Sequence, residues 1–506
     1  MSAVNTPLDP RSPVIVGVGQ LNQRVDQGAV PLEPVDLMAE ALDRASVDAA
    51  GGDRAAVLAG ADTIGVVSVL SWRYRDPGAL VAERVGASPR RTIVTAMGGN
   101  SPQSLLNRVA LDIQSGRSDL ALLCGAEAWR TRMAARDVGQ RPAWTVQDDA
   151  LTPTEILGQD EAMSHPFEQA RGIFMPVQVY PMFENALRAA AGRTVTEHIA
   201  HIAGLWARFS EVAASNPDAW VQQAYTAEEI ATPAPDNRMI GFPYTKRMNS
   251  NNAVEQSAAL ILCSVERARA LGVPSDRWVF PWAGTDAHDT AFVSHRGDLH
   301  SSPAIRVGGA AALDLAGIGV DALGHVDLYS CFPSAVQIAA TELGLAVDDP
   351  ARPLTVTGGL SFAGGPWNNY VMHAIATMAG RLRRDAGSIG LVTANGGYVT
   401  KHAFGVYSTS PPPDGRFGWC SPQDEADAAP RREVVGQWDG PATVESGTVM
   451  HSRDGDPENG LLSLLVADGR RAWAATQDPD ALNLMVSEEL VGRPVQVSGE
   501  GVAAFV

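Results

Sequence analysis

Two glycine-rich turns, each opening a helix and each followed by an apolar strand, constrain this chain more than any other feature. In the first half, Met97-Gly98-Gly99-Asn100-Ser101-Pro102 leads into a helical run, and residues 119–125 read as strand and turn. In the second half, Ala363-Gly364-Gly365-Pro366-Trp367-Asn368 does the same, followed by strand and turn over residues 388–396. Residues 62–68 likewise resemble residues 326–331. Between these landmarks, apolar runs at 14–19, 63–69 and 93–95 alternate with helical spacing, as in Leu37, Ala41, Leu42, Ala45 and Leu105, Leu106, Val109, Ala110, Ile113. Strands alternating with helices, in a pattern used twice, predict two related α/β halves with parallel strands.

The pattern breaks in two places. Residues 130–240 are richer in Met, aromatic and helical segments, and read as an insertion that shapes a binding region. Ser410-Pro411-Pro412-Pro413-Asp414-Gly415 reads as an extended linker. Beyond it, short strand-type runs and the Asp468-Gly469 turn predict an all-β barrel, with helical spacing only around residues 479–490. The expected units are therefore 1–275 with the insertion, 276–409, and 418–506. Lys+Arg 39 against Asp+Glu 57 gives a net charge of −18, which excludes a histone-like or general nucleic-acid binder. Four cysteines in 506 residues are too few for a disulfide scaffold. No 18-residue apolar run or signal-peptide pattern is present, so a cytoplasmic protein is expected, not a membrane one.

From Val14 to Ser408 the ordered motifs resemble the thiolase superfamily. They are VIVGVGQ near the start, the Gly99-Asn100-Ser101-Pro102 loop, and Gly125-Ala126-Glu127. Then come Pro243 to Lys246, Tyr329-Ser330-Cys331-Phe332, Gly358 to Pro366, and Ala394-Asn395-Gly396-Gly397. They look closest to the sterol-carrier-protein-type branch and its thiolase-like relatives. The resemblance implies a thiolase-like five-layer αβαβα fold from two βαβαβ halves, with the all-β barrel added. It also implies acyltransferase ancestry, acyl-CoA and lipid metabolism, and a homodimer paired at the strand edge near Ile93 to Thr95. The extra domain leaves a monomer open.

Thiolases hold a thiolate at a helix N-terminus, where the dipole and free N–H groups favour the anion. By the resemblance that position is Gly99 here, and the histidine that would activate the thiol is Gly365. Cys331 remains as a candidate acid/base, or as a small buried hydrophobe. Tyr329 is a candidate donor to a substrate oxygen, and Asn395 a candidate for orienting a water or carbonyl. Ser101 is expected to cap its helix, with Pro102 first inside it. Lys246 and Arg247 are candidate contacts for a CoA phosphate, and Ser101, at the start of its helix, is a further candidate contact for bound CoA. Tyr370 and His373 share a helix face, and so do His198 and His201; packing is the commoner role for both pairs, and no metal is expected. Glu127 matches a family position that supports a loop. Three functions fit: a divergent thiolase-like protein of acyl-CoA metabolism without thiolysis or Claisen condensation, a retro-aldol lyase on an acyl-CoA, and a non-catalytic acyl-CoA-binding protein. No resident cofactor is expected beyond CoA or acyl-CoA as ligand.

Overall fold

The computed structural model describes residues 8–25, 31–49 and 54–505. The two halves are built on the same four-strand core. In the first, Pro13–Asn22, Glu255–Ser264, Leu120–Ala128 and Thr63–Val66 lie side by side. The first three pair antiparallel and the last joins in parallel. In the second, Phe280–His288, Lys401–Ser408, Ile389–Gly396 and His325–Asp327 repeat that order and those directions. The halves differ at their edges. Arg91–Thr95 and then Glu155–Leu157 extend the first sheet, whereas Gly418–Cys420 extends the second on its opposite side.

Helices Ser101–Gln114 and Tyr370–Arg384 pack between the two sheets, forming the central layer. Helices Pro34–Asp48 and Pro77–Val85 cover the outer face of the first sheet, and Pro303–Ala316 covers that of the second. This is the expected five-layer order. Glycine explains the close fit of one outer helix: a Cβ on Gly19 would overlap the Ala41 carbonyl and stand 2.6 Å from Ala45 N. Leu37, Met38, Ala41, Leu42 and Ala45 line that helix's buried side, at the spacing the sequence shows.

The third sheet runs Arg471–Thr476, Pro457–Leu465, Gly440–His451, Pro494–Val497, Ala503–Phe505. Its end strands meet at a single bridge, Ala475 to Val502, so it curls without a continuous closing ladder; a closed barrel is more than the ladder provides. It carries one helix, Pro479–Ser487, where helical spacing was read. The sheet does not stand apart. Met239–Gly241 of the insertion pairs with its longest strand. Asn185 donates to Gly447 O at 2.8 Å, and Arg188 pairs with Glu489. Fully buried Arg471 grips Glu445 and donates to the carbonyls of Val293, Ser294 and Arg296. A charge so enclosed is tolerated because every donor direction it uses finds an acceptor. All four cysteines are free. Among the described residues, no helix is long and apolar enough to cross a membrane.

Candidate functional site

The two central helices begin side by side, and the predicted site residues gather at that end. Tyr329 and Cys331 lie on the turn between strand His325–Asp327 and helix Pro333–Leu343; Asn395 ends strand Ile389–Gly396. Tyr180 joins them from the insertion. Its hydroxyl accepts from Asn395 Nδ2 at 3.0 Å and from Val399 N at 3.2 Å, and donates to Gly397 O at 3.0 Å. Its ring stacks on Phe332 at 4.4 Å. Nothing in the local sequence marks Tyr180, because only the tertiary fold brings the insertion to Asn395.

Space decides what this end of the molecule can hold. A Cβ on Gly99 would overlap both Tyr329 Oη and the Asn395 carbonyl, and would stand 2.8 Å from Tyr329 Cζ. A Cβ on Gly365 would overlap Ser250 Oγ. The void bordered by Tyr329, Thr393, Asn395 and His402 is only about 10 Å³, about enough for one water. A separate opening of about 220 Å³ borders Met97, Asn100, Ser101 and Lys401, the last donating to Met97 O at 2.6 Å.

Electrostatics keep the centre neutral. Burial pushes the Cys331 thiol up to about 12, and the Tyr329 phenol further still, with Cys331 adding to the latter. Neither is ionised near neutral pH, so each is a donor or a packing group there. The Tyr329 ring meets Tyr370 edge-on at 5.5 Å. Tyr370 donates to Asp327, which also accepts from the Val356 and Thr357 amides. Asn395 Oδ1, Asn249 Oδ1 and Ser250 Oγ are buried with no partner among the described residues.

Other candidates fall elsewhere. Ser101 does not cap its helix: Asn100 precedes the first turn, and the Ser101 hydroxyl turns back to Ala96 O at 2.8 Å. Pro102 is accordingly the second helical residue. Arg247 is engaged by Asp236 at 2.5 Å and by the Tyr225 ring, while Lys246 is exposed. His198 binds Glu184 at 2.5 Å within the core, and His201 faces Asp348. Among the described residues, no group of three His, Cys, Asp or Glu side chains converges as a metal site. Glu127 accepts from the Leu70 and Ser71 amides at 2.7 Å, which holds that loop. Trp367, not singled out as a site residue, adopts φ 48° and packs on Trp129 at 4.9 Å. His373 Nδ1 donates to Gln20 Oε1 at 2.8 Å, which leaves Nε2 buried and unpartnered.

With this geometry in place, comparison with known proteins places the chain. No curated protein matches it. Residues 422–502 match the family model for the thiolase-like protein type 1 additional C-terminal domain. Among solved structures, the dimeric peroxisomal thiolase of Saccharomyces cerevisiae matches with TM-score 0.55 and 14% identity, covering 79% of this chain and 98% of that one. The Ltp2-ChsH2(DUF35) aldolase matches with TM-score 0.58 and 19% identity, again over 79% of this chain and 98% of that one. These two share the fold. A monomeric SCP2-thiolase-like protein type 1 from Mycobacterium smegmatis matches with TM-score 0.84 and 33% identity, over 99% of this chain and 100% of that one. That identity, sustained through both thiolase-like halves and the added sheet, means that the chain belongs to the SCP2-thiolase-like protein type 1 family.

Proposed function

We propose that this chain is a cytoplasmic protein of acyl-CoA metabolism that binds an acyl-CoA thioester without passing the acyl group through an enzyme thiolate. One observation carries the reading. The side-chain volume at Gly99, where the thiolase resemblance puts the nucleophile, is taken up by the Tyr329 hydroxyl and the Asn395 carbonyl. The crowding at Gly365 supports it from the other side. Binding is supported by the opening beside Met97 and Ser101, and by the unpaired acceptors Asn249 Oδ1 and Ser250 Oγ, which suit the amide N–H groups of a pantetheine arm. With Arg247 engaged, Lys246 is the one of the two candidate phosphate contacts left, so weak affinity for the phosphates is expected. Calorimetric titration with CoA and acetyl-CoA tests this: weak, saturable heat is expected. Absence of heat at millimolar ligand would remove acyl-CoA from the reading.

A second reading is a retro-aldol lyase, favoured by one observation. The Tyr329 hydroxyl has no hydrogen-bond partner among the described residues, and burial keeps it protonated. Such a phenol can donate to a substrate oxygen with no covalent acyl-enzyme. Turnover of a β-hydroxyacyl-CoA, lost in Tyr329→Phe, would select it. We further propose that the chain is a monomer. Strand Glu155–Leu157 covers the edge of Arg91–Thr95 through which a thiolase-type dimer would pair, and the mycobacterial relative is described as monomeric. Light scattering at high concentration reads this directly.

A further inference from the structure

At the opposite end of helix Tyr370–Arg384 from Tyr329, a cleft of about 480 Å³ opens between segments distant in sequence, with Val356 also on its wall. Gln20 comes from the first strand, Asn216 and Asp218 from the loop after helix Val195–Ser215, and Thr377, Arg381 and Arg384 from the last two turns of the helix. These helix residues are spaced by four and three, so they share one face. Gly380 lies on it too. A Cβ there would meet only Arg384 Nη1, at 3.6 Å, so that guanidinium folds back across the glycine.

The three arginines of this last stretch are used differently. Arg383 is bound to Asp48 at 2.5 Å and to Arg277 O at 2.8 Å. Arg381 and Arg384 have no carboxylate partner among the described residues, although the chain carries a large excess of acids. Facing them, Asp218 is half-buried; burial raises its carboxyl and Arg44 partly offsets that. Among the described residues its one side-chain donor is Gln20 Nε2, at 3.2 Å. That same Nε2 also donates to Thr377 Oγ1 at 3.1 Å, which leaves the threonine hydroxyl proton free. The cleft thus offers two guanidiniums and a hydroxyl donor on one wall, and a carboxylate acceptor on the other.

We propose that this cleft is a binding site for a hydroxyl-bearing phosphate monoester, of the size of a nucleoside monophosphate or hexose phosphate. The phosphate lies against Arg381 and Arg384, whose planar forks match its oxygens, and a ligand hydroxyl donates to Asp218. The volume falls in the range of small-ligand pockets. This site is independent of the acyl-CoA reading, because it lies at the far end of the helix and uses none of those residues.

The test is calorimetry on the full chain with AMP, glucose 6-phosphate and inorganic phosphate. At least one ester is expected to bind with submillimolar Kd, roughly tenfold tighter than inorganic phosphate. Arg381→Gln with Arg384→Gln should weaken it at least about tenfold, and Asp218→Asn should weaken the ester but not inorganic phosphate. Competition with CoA and dephospho-CoA separates the sources. Displacement that needs the 3′-phosphate assigns the cleft to the ribose phosphate of CoA, and no displacement assigns it to a free ester; each retains the chemistry. No ester binding at millimolar concentration, or binding unchanged in the double arginine variant, overturns the proposal. Equal affinity for esters and inorganic phosphate overturns it as well.

Discussion

Helix Tyr370–Arg384 has two ends with opposite character. At its start, Tyr329, the Asn395 carbonyl and Ser250 take the places that side chains on Gly99 and Gly365 would need, and the void bordered by Tyr329 and Asn395 is about 10 Å³. At its finish, Gly380 leaves room, and the cleft beside it measures about 480 Å³. The same residue type does opposite things at the two ends. Gly99 lacks a side chain where neighbours have taken the space, whereas Gly380 lacks one where only the movable Arg384 guanidinium comes near, at 3.6 Å. A missing side chain is therefore informative only together with what occupies its place.

The largest effect that tests this contrast is Gly99→Ala. The new Cβ meets the Asn395 backbone carbonyl as well as a tyrosine, so side-chain motion alone cannot relieve it. Overpacking of this kind costs about 1–3 kcal/mol, and chemical denaturation should show a loss in that range. Gly380→Ala is expected to do the reverse. It sits inside a helix with open space, so alanine should raise stability by up to about 1 kcal/mol. Equal costs at the two positions would break the comparison.

A pH measurement samples the first turn of the helix, at His373. Burial pulls the His373 imidazole down to about 3 from its ordinary value of 6.5. With Nδ1 donating to Gln20, a proton would have to enter at the unpartnered Nε2. A depressed folded value means that the neutral ring stabilises the fold above pH 6.5. That stability drains as pH falls from 6.5 toward about 3. His373→Gln should therefore lose less stability than the parent over this window. A parallel decline in the two proteins would show that His373 is not held neutral. The smallest effect is expected at the cleft, where Arg381→Gln with Arg384→Gln should leave stability within about 0.5 kcal/mol, since neither side chain holds a partner among the described residues.

Much of the fold was legible in the chain because its periodicities are local. The repeated turn–helix–strand segments match the two central helices and the strands after them. Leu37, Ala41, Leu42 and Ala45 face inward as read, and Met38 joins them. The third sheet was visible as strands, but not its attachment. Met239–Gly241 pairs with a strand some 200 residues later, and no local pattern encodes that. Tyr329, Cys331 and Asn395, read from contiguous motifs, lie together at one end of the fold. Tyr180 was missed because its helix reads as ordinary packing. The Ser101 cap failed by one residue: Ser-Pro suits a helix start in general, yet here the hydroxyl holds Ala96 O. Arg247 looked available because Asp236 and Tyr225 are its neighbours only after folding.

The central claim is that the filled end of the helix cannot host an acyl-enzyme. The direct measurement follows loss of acetoacetyl-CoA absorbance in the presence of CoA and pure protein, with intact-mass analysis of the protein from the same reaction. The account predicts no loss above the uncatalysed background, and no mass increase of one acetyl group. Robust turnover with an acetylated species, abolished by iodoacetamide modification of any of the four cysteines, would contradict it.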